Sequence, residues 1–523
     1  MILGEKFQEK DKGKIKSYFK LKSNKLSNIF IISIFLLITV LIASLKVSLL
    51  SNWLYSSDLF TYDTILQETL RGNFGLEYTY GNSFGDHAYF VFLLLLPIKL
   101  FLKSKMIYFL VLITPLLFVS SCITLLYYVS SLNFKWYERI IIFIPLIFMV
   151  NILKANAEGI YGFHPDTGMG FLLFILAILF DLLNNYKNKK SLKILIWLVF
   201  ILFIFTKEEM ALLGTIFFGI ILFFDRKRIY LVFFIFSFIV FILDIFFILE
   251  SKSILNRGNN VILNNFYNET NIRGLISVLK DIPYDTFLNQ ILLYVGVFVA
   301  LILLKKIKPI AFALFIVGLI KIFICFLIAD FSFDTWHSFP ALGMFIGAII
   351  IQFTGEKRIK YALQFSYIVL IYLSIVSVLN LKHDLIFRKS AIGCIRTTKH
   401  YKKLTNKDIQ ELKKYIDKKK VIALNTYIAI NFTDGYRYTF YPRGVEMIPT
   451  HIASYIIVDK TSETLRHLVK SSTESLVVTG KTGYHNIFEN NSFILLERDE
   501  ALKGKEGDCP VFIKNYGKES LGI

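Results

Sequence analysis

Residues 28–50 read NIFIISIFLLITVLIASLKVSLL, with Lys46 as their one charge, and a lysine-rich tail from Lys6 to Lys25 precedes them. A helix needs about 20 apolar residues to cross a hydrocarbon core. A secretory signal core is shorter, about 7 to 15 apolar residues, and ends at a small-residue cleavage site. No such site follows Leu50, so the segment is expected to remain as a helix with the basic tail on the cytoplasmic side. Outward from it, apolar runs recur as far as Asn380, and the basic residues between them fall in every second gap. Lys135 and Arg139, Lys187 to Lys193, Arg226 to Arg228, Lys305 to Lys308 and Lys357 to Lys360 therefore share a side with the tail, the cytoplasm by the positive-inside rule. The other gaps hold Asp58, Asp86-His87, His164-Pro165-Asp166, Lys207-Glu208-Glu209, Asp334-Trp336-His337 and everything after Asn380.

Composition points the same way. The chain of 523 residues is 55% hydrophobic and 16% aromatic, with 52 Phe and a mean hydropathy of +0.57. Soluble domains carry about 45 to 50% apolar residues. A net charge of +20 suggests nucleic acid at first sight, but the Lys and Arg lie beside apolar runs and no compact basic motif carries base-stacking aromatics. They read as topology signals and contacts to anionic membrane lipid, and nucleic-acid binding is set aside.

The pattern predicts an α-helical polytopic membrane protein of about 11 to 13 spans, a multi-pass resident of the cell membrane. Its parts are a cytoplasmic tail (1–27), a transmembrane region (28–380) with an outer segment (51–87), and an extracytoplasmic α/β domain (381–523). Predicted spans are Ile140–Leu153, Thr167–Leu183, Leu192–Phe205, Met210–Phe224, Ile229–Leu249, Leu288–Leu304, Pro309–Ala329, Ser338–Phe353 and Tyr361–Asn380. Two runs compete near the start. Ala88–Lys103 is short and holds a Pro and two Lys, while Met106–Leu132 is long and carries Pro115. Either the first lies in the interface, which is preferred, or Pro115 splits the second into two short spans. In the C-terminal domain, Val421–Leu424, Tyr427–Ile430, Ser454–Val458, Ser475–Val478 and Phe493–Leu496 read as strands, and 406–418 as a helix with Ile409, Leu412 and Ile416 on one face.

Four cysteines give no disulfide framework. Cys122 and Cys325 lie in apolar runs, and a bridge between Cys394 and Cys509 is left open. No sequence repeat supports an inverted-repeat transporter. A glycine-rich dinucleotide loop, a P-loop, HExxH and paired CxxC motifs are all missing from the sequence, which disfavours a nucleotide-sugar enzyme, an ATP-driven pump and a zinc protease.

The order of outer motifs carries a resemblance. Asp58 with Tyr62-Asp63 after the first span, Gly85-Asp86-His87, Phe163-His164-Pro165-Asp166, Lys207-Glu208-Glu209, Trp336-His337, Tyr441-Pro442 and Tyr455 to Asp459 together resemble a bacterial membrane family catalogued as domain of unknown function 2079. That family in turn resembles the GT-C superfamily of membrane glycosyltransferases. The resemblance implies transfer of a sugar from a polyprenyl-phosphate donor at the outer face, with an essential acid in the first outer loop.

Such a transfer needs a base for the acceptor hydroxyl and groups that stabilise the leaving phosphate. Asp58 suits the base, a few residues past the first span; the bland reading is a solvated acid or a helix cap. Asp63 is given a supporting role. Asp86, His87, His164 and Asp166 are expected to shape the site, and Asp58, His164 and Asp166 are the candidates for a divalent-metal site, since carboxylates and imidazoles are the usual ligands. Lys207, oriented by a carboxylate such as Glu208, faces the donor phosphate or else sits in a tight interfacial turn. Asp244 and Lys321, charges inside spans, are expected to pair, with the phosphate as an alternative partner for Lys321. His337 is a candidate for acceptor binding. Rival classes are a transporter or flippase of lipid-linked glycans and a non-enzymatic membrane anchor for the C-terminal domain.

Overall fold

The computed structural model describes residues 2–52, 55, 57–78, 81–82, 89–132, 134, 139, 142–143, 163–185, 190–250, 295–296, 298–299, 307–327, 339–354, 406–424, 426–440, 453–459 and 484–498. Its long helices are α1 (Ile2–Ser51), α2 (Ser57–Leu70), α3 (Val91–Leu102), α4 (Met106–Ser131), α5 (Pro165–Asn185), α6 (Lys190–Ile204), α7 (Glu208–Phe224), α8 (Arg228–Glu250), α9 (Pro309–Leu327) and α10 (Phe339–Thr354). Among the described residues, four stretches are long and apolar enough to cross a membrane: Leu26–Ser51, Val91–Ser131, Pro165–Asn184 and Arg228–Phe246. The predicted spans from Thr167 to Leu249 and from Pro309 to Phe353 are matched by α5 to α10. Tyr361–Asn380 and nearly all of Ile140–Leu153 and Leu288–Leu304 lie outside the described residues, as do Ser475–Val478, Cys394 and Cys509.

Helix α5 is apolar all round and forms the centre, as such a helix must. It packs against α4, α6, α9 and α10, and 94% of its apolar window is buried, against 22% for α1 and 28% for α8. Those two flanking helices keep bare apolar faces, among them Phe30, Leu37 and Leu41 on α1 and Phe238, Ile242 and Phe246 on α8. Exposed apolar surface on that scale marks a membrane or partner face. Two glycines let α5 and α10 cross backbone to backbone. A Cβ on Gly170 would meet Pro340 Cα at 2.9 Å, and one on Gly343 would meet Gly170 O at 3.0 Å.

The bundle has two chemically distinct ends. At one, Arg139 donates to Asn28 Oδ1 at 2.8 Å, Lys227 donates to Asn184 Oδ1 at 2.8 Å, and Lys308 pairs with Asp181 at 2.9 Å. Tyr128 also donates to Asp181, tying α4 to α5 there. This is the basic end. Helices α1 and α4 run antiparallel, so Leu50 and Met106 share a cluster at the opposite end with α2, α3 and Phe163. Helix α3 lies along that end instead of passing through the bundle. The Val91 N–H donates to Phe205 O at 2.6 Å, Lys99 meets Asp63 of α2, and the chain turns at Lys103 (φ 51°) into α4. Helix α4 continues unbroken through Pro115. The interfacial reading of Ala88–Lys103 matches this geometry, and a Pro115 split does not.

In the C-terminal domain, β3 (Val421–Leu424), β4 (Arg437–Phe440), β5 (Tyr455–Asp459), β6 (Tyr484–Glu489) and β7 (Phe493–Arg498) form a mixed sheet in the order β4-β3-β5-β7-β6. A short hairpin, β1 (Leu76–Glu77) with β2 (Gly81–Asn82), lies earlier in the chain. β3 pairs in parallel with β4 and β5, and β7 runs antiparallel to β5 and β6. Ile422, Leu424, Tyr438, Phe440, Tyr455, Ile457, Phe493 and Leu495 alternate onto one face, which packs on Ile409, Leu412, Ile416 and α2. Ala423, Ile456 and Leu496 face the other way. Tyr427–Ile430 is not the expected strand but part of a 3₁₀ helix, Thr426–Phe432. Its buried residues are Ile428, Ala429 and Phe432, a helical spacing and not the alternation of a strand.

Candidate functional site

The charged residues of the α2 end are buried in pairs. Asp58 falls in the first turn of α2, where an acid meets the positive end of the helix dipole; its side chain lies outside the described atoms. Asp63, on the same helix, is fully buried, and its Oδ1 accepts from Lys99 Nζ of α3 at 2.6 Å. Asp63 Oδ2 has no hydrogen-bond partner among the described residues. Burial pushes the Asp63 carboxyl above its usual value, with the Lys99 charge and hydrogen bond acting in the opposite direction. Beside Asp63, the Tyr62 ring packs against Tyr89, Phe92, Phe163 and His164, with centroids 5.2 to 6.1 Å apart.

His164-Pro165-Asp166 opens α5 for local reasons. Proline suits the first helical position because its missing N–H has no intrahelical partner there, and Asp166 sits in the first turn, where the dipole favours an anion. Asp166 Oδ2 accepts from Lys207 Nζ at 3.1 Å, and His164 Nδ1 lies 3.8 Å from Asp166 Oδ1. Lys207 caps α7 in an extended conformation, with Glu208 and Glu209 in the first turn. Glu209 receives Lys321 of α9 at 2.5 Å. The Lys207-Glu208-Glu209 turn thus bridges α5 and α9. Burial opposes the Lys207 charge, yet Asp166, Glu208 and Glu209 outweigh it and hold the ammonium above the ordinary lysine range. Asp166, Lys207, Glu209 and Lys321 all lie within electrostatic reach of one another.

The expected pair of Asp244 and Lys321 does not form. Helix α9 packs on α7, which presents Glu209 to Lys321, while α8 packs on the same α7 through other positions. Asp244 is 1% exposed, and neither of its oxygens has a hydrogen-bond partner among the described residues. Asp86, His87 and His337 lie outside the described residues. No group of three His, Cys, Asp or Glu side chains fit for a metal ion forms among the described residues. His164 and Asp166 are adjacent, but Lys207 holds one Asp166 oxygen, so a cation would have to displace that ammonium.

Three partners escaped the sequence reading. Lys99 stands as a single charge inside VFLLLLPIKLFL, and an isolated lysine in an apolar run is itself a signal that a buried acid faces it. Glu68 and Arg437 are the others, and they dock the C-terminal domain on α2. Fully buried Glu68 accepts from Arg71 and from Asn73, and Arg437 Nε lies 3.4 Å away. Gln67 donates to Tyr436 O at 2.8 Å and Arg71 to Gly435 O at 2.7 Å. Hydrogen bonds from Asn73, Arg71 and Tyr78 keep Glu68 below the usual range although burial, the largest single influence, acts to raise it.

Compared with known proteins, the chain matches no family model, curated protein or solved structure. Its chemistry is therefore argued from its own residues.

Proposed function

We propose that the protein is a GT-C-like integral membrane glycosyltransferase, with the α2 end on the outer face and the basic end in the cytoplasm. One observation carries the reading: three buried acid–lysine pairs, Asp63–Lys99, Asp166–Lys207 and Glu209–Lys321, converge at the end of the bundle where the first apolar helix delivers α2. Acids and ammoniums gathered in a dry site are what sugar transfer from a lipid phosphate requires. Asp58 takes the proton from an acceptor hydroxyl as its oxygen bonds to the sugar's anomeric carbon. The bond from that carbon to the phosphate breaks, and its electron pair leaves with the polyprenyl phosphate. Lys207 and Lys321, aligned by Asp166 and Glu209, meet the charge that gathers on the phosphate. Asp63 and Lys99 hold α2 in register, and Asp86, His87 and His337 belong to the acceptor side.

The test is mass spectrometry of lipid-linked and surface glycans from cells carrying the wild-type protein or Asp58→Asn at matched expression. Loss of one sugar with accumulation of its polyprenyl-phosphate donor is the expected result; an unchanged profile refutes the reading. A transporter reading draws on one observation of its own, the partnerless Asp244 carboxylate inside α8. It predicts that Asp244→Asn, and not Asp58→Asn, abolishes glycan export.

A further inference from the structure

The C-terminal domain reaches the Asp63 pair itself. On β4, Tyr438 and Phe440 point to α2: the Phe440 ring lies 6.2 Å from that of Phe60, and Tyr438, 2% exposed, donates its hydroxyl to Phe60 O at 3.4 Å. That bond is long, since O–H···O bonds cluster at about 2.7 to 2.8 Å. The same carbonyl is already served by Thr64 Oγ1 at 3.1 Å. The Tyr438 hydroxyl is thus weakly committed, and it lies within electrostatic reach of Asp63, whose buried Oδ2 lacks a partner among the described residues.

We propose that Tyr438 is a positioning residue for Asp63, supplying from the C-terminal domain the hydroxyl that serves the carboxylate oxygen Lys99 leaves unfilled, so that the tail and the α2 end form one site. The assignment rests on the transferase reading for its catalytic meaning but not for its physical test. A phenolic O–H beside a buried carboxylate favours the charged form. Elements packed on α2 bring further ionisable groups, and these act elsewhere or at a distance. Lys99 of α3 holds Oδ1, Arg437 of β4 and Tyr78 turn to Glu68, Glu77 lies on β1, and Tyr108 of α4 is exposed.

The sign follows from the raised Asp63 value, caused first by burial and countered by Lys99. A carboxyl whose folded pKa exceeds the ordinary 3.8 contributes stability below that value and loses it as pH rises through the folded pKa. In Tyr438→Phe the folded pKa rises further, so this loss moves to higher pH. The experiment uses the full chain in nanodiscs and compares wild type, Tyr438→Phe and the neighbouring control Tyr436→Phe. It records the thermal unfolding midpoint as a function of pH and, in parallel, the pH profile of sugar transfer. Tyr438→Phe is expected to move both the stability titration and the acid limb of the rate upward by about one pH unit, while Tyr436→Phe moves neither. A uniform loss of rate or stability with no shift, or an equal shift in Tyr436→Phe, overturns the proposal. A shifted stability titration in a chain that transfers no sugar at any pH upholds the positioning role and overturns the transferase reading.

Discussion

Both ends of the bundle are closed by acid–lysine pairs, yet the pairs differ in what they leave over. At the basic end Asp181 is saturated: Lys308 bonds both oxygens and Tyr128 donates to one of them, and Lys308 keeps water contact, with 22% of its side chain exposed. At the α2 end Asp63 and Lys99 are both buried, and one carboxylate oxygen goes unserved. A saturated pair fastens helices and has no capacity left for chemistry. An unsaturated one costs stability, about 1 to 3 kcal/mol for an unserved buried polar group, and such cost concentrates where a protein acts on something.

The sharpest way to break this contrast is to strand a charge. Asp63→Ala leaves Lys99 buried without its acid and should lose about 3 to 5 kcal/mol, while Asp63→Leu combined with Lys99→Leu should regain most of it. Chemical denaturation in mild detergent reads both, and equal losses in the single and double variants would show that the pair is not coupled. Next in size, Gly343→Ala presses a methyl group on the Gly170 carbonyl and should cost about 1 to 3 kcal/mol as an overpacked contact, measured the same way. Asp181→Asn at the basic end should cost about 1 to 3 kcal/mol through lost bonds and leave the glycan profile intact. A profile damaged as severely as in Asp58→Asn would erase the distinction between the ends. In acid, Glu68 should release the C-terminal domain. Its folded pKa lies below the ordinary 4.5, so its contribution is present above that value and is lost as pH falls through the folded pKa; hydrogen exchange at 436–440 should rise there first. Smallest of all, Lys420→Gln on the half-exposed Glu497 pair should change stability by under about 1 kcal/mol.

Local pattern made most of the helices legible. His164-Pro165-Asp166 opens α5 and Lys207-Glu208-Glu209 opens α7, each with proline or acids where a helix start favours them. Gaps between apolar runs likewise sorted the described charges correctly into two ends of the bundle. Partnership was not legible. Lys321 sits at a depth suited to Asp244, but depth along a helix says nothing of which neighbour it faces, and α7 presents Glu209 instead. Tyr438 meets Phe60 across 378 positions, and no spacing rule spans such a gap. β4 was missed because RYTF carries an arginine and a threonine and reads as polar, although its Tyr438 and Phe440 are buried by α2.

The glycine crossing of α5 and α10 has a mechanical consequence. Asp166 stands four residues, about one helical turn, before Gly170, whose carbonyl lies where a Cβ on Gly343 would touch it. Contact between two main chains involves no rotamers, so thermal hopping of side chains does not loosen it. The crossing acts as a fixed bearing that sets the height of Asp166, and through it of the Lys207 ammonium, while the apolar side chains around it are free to fluctuate.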